Sequence, residues 1–234
     1  MTTAREQIEI LYFTDVLCVW AYIAQIRIDK LSKHFGDRIR VENRFITVFG
    51  STEQRIGQGW KNKGGYAGFS GHVVEAAKDF PHIEVNPEVW KKCRPESSVT
   101  SHLFIKASQL LQLEGSLPDK DGAAVGCTLE ELIWRIRCAF FVDARDVGDT
   151  SVLIDIAEGM GLSGSHIQQR MLDGSALAVL AGDIEQKTTW QLQGSPTLLM
   201  NNGRQKLYGN IGYRVLEANV AELLESPQNQ SSWC

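Results

Sequence analysis

No Cys-x-x-Cys pair occurs in this chain, and no His-x-x-x-His pair. The first absence removes a vicinal dithiol couple, and the two together leave a metal site, zinc above all, without support. No apolar run approaches the length that crosses a bilayer, so no membrane partner is expected. The opening residues MTTAREQIEI hold no hydrophobic signal segment. The five cysteines are odd in number and widely spaced, which does not suit a disulfide framework. A cytoplasmic location is the expectation. A basic excess is also missing: 24 Lys and Arg against 28 Asp and Glu leave a net charge of −4, which argues against a nucleic-acid partner. The glycines form neither G-x-G-x-x-G nor a G-K-[ST] phosphate loop.

What is present is a chain of 234 residues, 43% hydrophobic and 22% charged, long enough to bury a core. IEILYF, residues 8–13, is a short apolar, β-favouring run that predicts a buried strand. After Cys18, the residues Trp20, Ala24, Ile28, Leu31 and Phe35 recur at helical spacing, and Gly36 closes the pattern. RIRVENRF then alternates, with Ile39, Val41 and Phe45 on one side, which predicts a second strand. The first fifty residues therefore read β-α-β, with a crossover long enough for a parallel pair.

The stretch GSTEQRIGQGWKNKGGYAGFSG, residues 50–71, is glycine-rich and polar and predicts a long loop, either a mobile lid or a domain junction, whose plainest reading is a flexible connector. From about 70 to 190 the pattern is helical. Stripes at Val99–Leu103–Ala107–Leu110, at Leu129–Ile133–Ile136–Phe140 and at Val152–Ile156–Met160 mark three helices, the last with Asp149 as N-cap and Gly161 at its end. A loop is expected over 115–126, and SALAVLAGDIEQKTTWQLQ reads as another helix. PTLLM, NNG and QKLYG read as a hairpin whose turn is supplied by Asn202-Gly203. GYRVLEANVAELLE predicts a closing helix with the stripe Val215, Leu216, Val220, Leu223 and Leu224, and SPQNQSSWC a frayed tail. Neither β-containing end has enough strands to stand alone, so the two must pair in one sheet. The expected division is an α/β domain from residues 1–55 and 186–226, an α-helical insert from 56–185, and a tail from 227–234.

The order β-α-β then β-β-α, with Cys18 at the first strand–helix junction and Ser195-Pro196-Thr197 before the third strand, resembles a thioredoxin fold. The helical insert makes the sequence similar to the DsbA-like family, in the branch that holds cytoplasmic DsbA-type oxidoreductases, 2-hydroxychromene-2-carboxylate isomerases and kappa-class glutathione transferases. Three stretches carry the likeness: DVLCVWAYIA, FFVDARDVGDTSVLIDIAEGMGL and GSPTLLMNNGRQKLYG. The chain departs from the family's dithiol members at Ala21, where they carry a second cysteine, and at Val19, where they carry proline. It departs from the isomerases and kappa transferases by keeping Cys18 in place of serine. Asn210-Ile211 stands where glutathione-using relatives carry a Ser-Asp pair, which makes Asn210 the residue expected to meet glutathione there.

A cysteine at a helix N-terminus faces unpaired N–H groups and the positive end of the helix dipole, which can lower its pKa from about 8.5 to about 3.5–7.5. Cys18 is therefore the expected catalytic thiol, with Asp15, Trp20, Ala21 and Tyr22 around it. By resemblance, a cis bond before Pro196 turns the backbone of Ser195 toward the cysteine, and Thr197 follows in the strand. The histidines His34, His72, His82, His102 and His166 show no triad or metal spacing and are expected in surface or core roles, with His72 and His102 the two that could face a cleft. Cys138 reads as a packing residue, Cys127 likewise, and Cys234 as a tail thiol.

Three functions follow. The first is a single-cysteine thiol–disulfide oxidoreductase, linked to glutathione as co-substrate and acting on a small thiol or disulfide or on a protein disulfide. The second is a glutathione-dependent isomerase or transferase in which Cys18 only hydrogen-bonds the bound thiolate. The third is a non-catalytic binding scaffold. A homodimer is expected by resemblance alone.

Overall fold

The computed structural model describes residues 7–115 and 125–225, with 125–128 described through the backbone. The readings placed on Cys127, Cys234, most of the 115–126 loop and the 227–234 tail lie outside the described side chains.

Strand β1 (Ile8–Thr14) runs parallel to β2 (Ile39–Phe45), with Ile8 opposite Ile39 and Thr14 opposite Phe45. Helix α1 (Val19–Phe35) makes the crossover between them. On the other side of β1 lies β3 (Thr197–Met200), antiparallel, and beyond it β4 (Gln205–Tyr208), which gives the order β2-β1-β3-β4. The hairpin turn takes positive φ at Asn201, Asn202 and Gly203, conformations that Asn and Gly adopt at low cost. Helix α8 (Tyr213–Glu225) closes the chain's described part.

The pleat sends Ile8, Ile10 and Tyr12 to one face, where they pack on Ile28, Leu31 and Phe35 of α1 and on Leu216, Val220 and Leu223 of α8. Val215, expected in the α8 stripe, is half exposed instead. Phe13 and Leu199 point to the opposite face, against Ile46 and Leu192.

Between β2 and β3 lie α2 (Gly65–Ala77), α3 (Val99–Leu113), α4 (Val125–Phe141), α5 (Thr150–Glu158), α6 (Gly164–Leu172) and α7 (Ser175–Thr189). Asp149 caps α5 by accepting from the Ser151 N–H at 2.8 Å, as its position before the helix predicts. The largest apolar cluster joins Val16, Leu17, Cys18 and Ala21 to Phe69, Phe104, Ile136 and Leu153 of the insert. The helical block therefore shares a core with the first strand–helix junction. A buried ion cluster adds a polar tie. Asp183 on α7 receives Lys106 of α3 at 2.6 Å and Arg44 of β2 at 3.1 Å, and also accepts the Phe45 N–H at 2.7 Å.

Two sequence readings need correction. The 50–71 stretch is not a flexible connector: it forms a π-helical turn over Glu53–Gln58, a 3₁₀ turn over Lys61–Lys63 and the first part of α2. Its propensity for helix is low, but Ile56, Phe69 and Val73 are buried in the common core, and that packing outweighs the glycine penalty. The helical region is also interrupted: 78–98 holds turns and an isolated bridge between Val89 and Cys93 rather than a helix.

Candidate active site

Cys18 is the N-cap of α1. Its carbonyl accepts the N–H groups of Ala21 at 3.1 Å and Tyr22 at 3.0 Å, while its own backbone stays extended at φ −84° and ψ 113°. The Sγ–H donates to the Ser195 carbonyl at 3.3 Å. The Ser195–Pro196 peptide is cis. The Ser195 hydroxyl in turn accepts the Asp15 N–H at 3.0 Å. Thr197 sits behind this contact in β3, its hydroxyl donating to the Gly194 carbonyl at 2.6 Å.

Asp15 is the hub beneath the thiol. Its carboxylate accepts the Leu17 N–H at 2.9 Å, the Phe49 N–H at 2.9 Å and the Ser98 hydroxyl at 2.9 Å, and lies 3.6 Å from His102 Nε2. Three chain segments, the β1–α1 junction, Phe49 and the start of α3, are thereby fixed to one side chain with no exposure. Burial pushes the Asp15 carboxyl up, but the facing His102 and the N–H groups of Phe49 and Leu17 outweigh it and hold the group below its ordinary range. His102 is fully buried, and its Nδ1 meets no partner among the described residues.

The sign of the Cys18 perturbation is opposite to the sequence expectation. Burial pushes the thiol up, and the Asp15 carboxylate adds to it; the Ser195 hydroxyl and the N–H groups of Ala21 and Trp20 pull the other way without cancelling it. The helix end does act on the sulfur, but a residue only 6% exposed loses more from desolvation than it gains from the dipole.

Cys18 forms part of the wall of a cavity of about 450 Å³, within the range of small-molecule sites. Trp20 and Ser195 line it with Cys18, as does His72. Asp15, Ala21 and Thr197 are buried behind the wall. Tyr22 faces away: its ring stacks on Phe141 at 4.7 Å, and its hydroxyl donates to the Glu84 carbonyl at 3.3 Å. Asn210 is exposed, accepts from Arg27 and stands outside the cavity wall. Cys93 and Cys138 are free thiols and neither lines the cavity. Burial pushes Cys93 up to about 12.

The rest of the wall includes residues that were not singled out in the sequence. Arg55, Trp60 and Phe69 arrive from the 50–71 stretch, Phe49 from just before it, and Lys187 and Tyr208 from α7 and β4. A signal was there: the glycine-rich stretch carries Trp60, Tyr66 and Phe69 among its cations, and large aromatics in a loop need a surface to cover. Among the described residues no group of three His, Cys, Asp or Glu could hold a metal ion.

No protein-family model and no curated protein matches the sequence. Solved structures do match the fold. A protein from Nitrosomonas europaea assigned as a protein disulfide isomerase superposes with TM-score 0.73 at 14% identity, over 94% of this chain and 98% of the other. The cytosolic disulfide reductase DsbM from Pseudomonas aeruginosa gives 0.61 at 18% identity, over 91% and 98%. A 2-hydroxychromene-2-carboxylate isomerase gives 0.62 at 13% identity, over 96% and 100%. With its four-stranded sheet divided by a helical insert, this chain has the fold of the DsbA-like thioredoxin-fold family.

Proposed function

We propose that this protein is a cytoplasmic thiol–disulfide oxidoreductase that works with Cys18 alone and uses glutathione as its partner thiol. The observation that supports this reading most is the placement of the Cys18 sulfur: it meets the Ser195 carbonyl in a cavity whose wall, among the described residues, contains no second thiol. A substrate disulfide seated there is attacked by the Cys18 thiolate. One sulfur–sulfur bond forms, the substrate's own bond breaks, and the departing sulfur leaves as a thiolate. Ala21 cannot resolve the adduct, so a second small thiol must.

Burial pushes the Cys18 thiol up, and a thiol of raised pKa is the poorer leaving group once joined. The mixed disulfide at Cys18 therefore persists until a second thiol attacks it and releases Cys18. Incubation with oxidised glutathione, followed by intact mass and peptide mapping, tests the reading. One adduct at Cys18, absent in Cys18→Ser, is expected; labelling elsewhere or nowhere sinks it.

A second reading rests on the same hydrogen bond. A Cys18 that stays protonated can donate to the thiolate of a bound glutathione, as an isomerase or transferase requires, with Trp20, Trp60 and Phe69 flanking an aromatic substrate. In that case Cys18→Ser keeps most activity toward a conjugated aromatic substrate, whereas under thiol exchange it loses all turnover.

A further inference from the structure

The cavity beside Cys18 has a charge pattern opposite to that of the molecule. The whole chain carries −4, yet among the described residues the charged members of the wall are Arg55 and Lys187, with no Asp or Glu. Arg55 comes from the π-helical turn and holds its guanidinium over the Phe49 ring, 5.1 Å from the centroid. Lys187 comes from the last turn of α7, where its carbonyl accepts the Leu192 N–H at 2.9 Å. Among the described residues neither cation pairs with a carboxylate, although Glu53 lies in the same turn as Arg55; Glu53 accepts instead from Gln58. Two buried carboxylates have other partners: Asp15 is engaged by Leu17, Phe49, Ser98 and His102, and Asp183, on the same helix as Lys187, by Lys106 and Arg44. Concave, aromatic-walled sites with cations of one sign focus potential and raise the local concentration of anions.

We propose that Arg55 and Lys187 are specificity-determining residues, and that the cavity selects low-molecular-weight disulfides whose carboxylates flank the sulfur atoms. The inference rests on Cys18 being the exchanging thiol. Each carboxylate of the substrate meets one of the two cations, and the disulfide comes to lie between them at Cys18. Charge then decides which disulfide is attacked. In the step itself the Cys18 sulfur is oxidised to the mixed disulfide, the released half of the substrate is reduced to a thiolate, and the Cys18 proton passes to solvent.

Three small disulfides of similar size and different charge test this: 3,3′-dithiodipropionate, bis(2-hydroxyethyl) disulfide and cystamine. Adduct formation at Cys18 is followed by intact mass at low ionic strength. The dianion is expected to react about tenfold faster than the neutral compound, and the dication slowest, with the spread shrinking near 1 M salt, where screening falls to about 3 Å. In the Arg55→Gln/Lys187→Gln double variant the spread should collapse toward one; Arg55→Lys, which keeps the charge, should retain it. Equal rates for all three compounds overturn the charge selection and leave thiol exchange standing. A preference that survives in the double variant removes the assignment to these two residues. Failure of all three to label Cys18 overturns the exchange reading itself.

Discussion

Asp15 shows how one buried carboxylate does two jobs. It satisfies two backbone N–H groups and a hydroxyl, and it places negative charge near Cys18. Asp15→Asn removes the charge and turns an N–H group toward donors, so we expect a loss of about 2–4 kcal/mol in urea unfolding at pH 7. The sign with pH follows from the depressed pKa. The contribution of Asp15 is full above the unfolded value of about 3.9 and fades as pH falls through the lower folded value, so variant and wild type converge in acid. The same substitution should speed iodoacetamide labelling of Cys18 at pH 7–8, because the repelling charge is gone. In the wild type the half-maximal labelling rate should fall above pH of about 8.5, the free-thiol value. The positions of Asp15 and Cys18 were legible from the sequence, because strand and helix patterns bracket them. The direction of the thiol's shift was not: it depends on burial by Phe49, Phe69 and other residues brought from distant parts of the chain.

At the scale of elements, the segment 53–77 builds much of the cavity wall, and its glycines are structural. A Cβ on Gly68 would collide with the Lys63 carbonyl, backbone against backbone. Gly68→Ala should therefore cost about 1–3 kcal/mol and shift the fluorescence of the neighbouring Trp60. An unchanged spectrum and melting curve would contradict this packing. The ion cluster of Asp183, Lys106 and Arg44 holds α7, α3 and β2 together in the same way. Lys106→Met leaves the buried Asp183 with only part of its compensation, for an expected loss of about 3–5 kcal/mol. Legibility differs between these elements for a physical reason. Helix α5 carries its own apolar stripe and its Asp149 cap, so local pattern and final structure agree there, and the helical pattern alone marks α3 and α8. Helix α2 has glycine at Gly65, Gly68 and Gly71 and is held by tertiary contacts, which leave only a weak periodicity to read.

For the molecule as a whole, the division into a sheet-bearing half and a helical insert was legible from the order of elements. The shared core was not, since stripes show which faces are buried but not against what. Because Val16, Leu17 and Ala21 pack with residues of the insert, urea unfolding should give one transition, with tryptophan fluorescence and far-UV circular dichroism coinciding. Two separated transitions would show that the insert unfolds alone.

The pairing of β1 with β3 also sets a clock. The Cys18 thiol and the Ser195 carbonyl that receives it are 177 positions apart. At about 5–20 residues per second, a ribosome needs roughly 10–35 s between making the one and making the other. Throughout that interval the nascent cysteine has neither its carbonyl partner nor the third strand beside it. A newborn chain therefore presents an ordinary thiol to the cell, and acquires its shielded one only when the late strand docks.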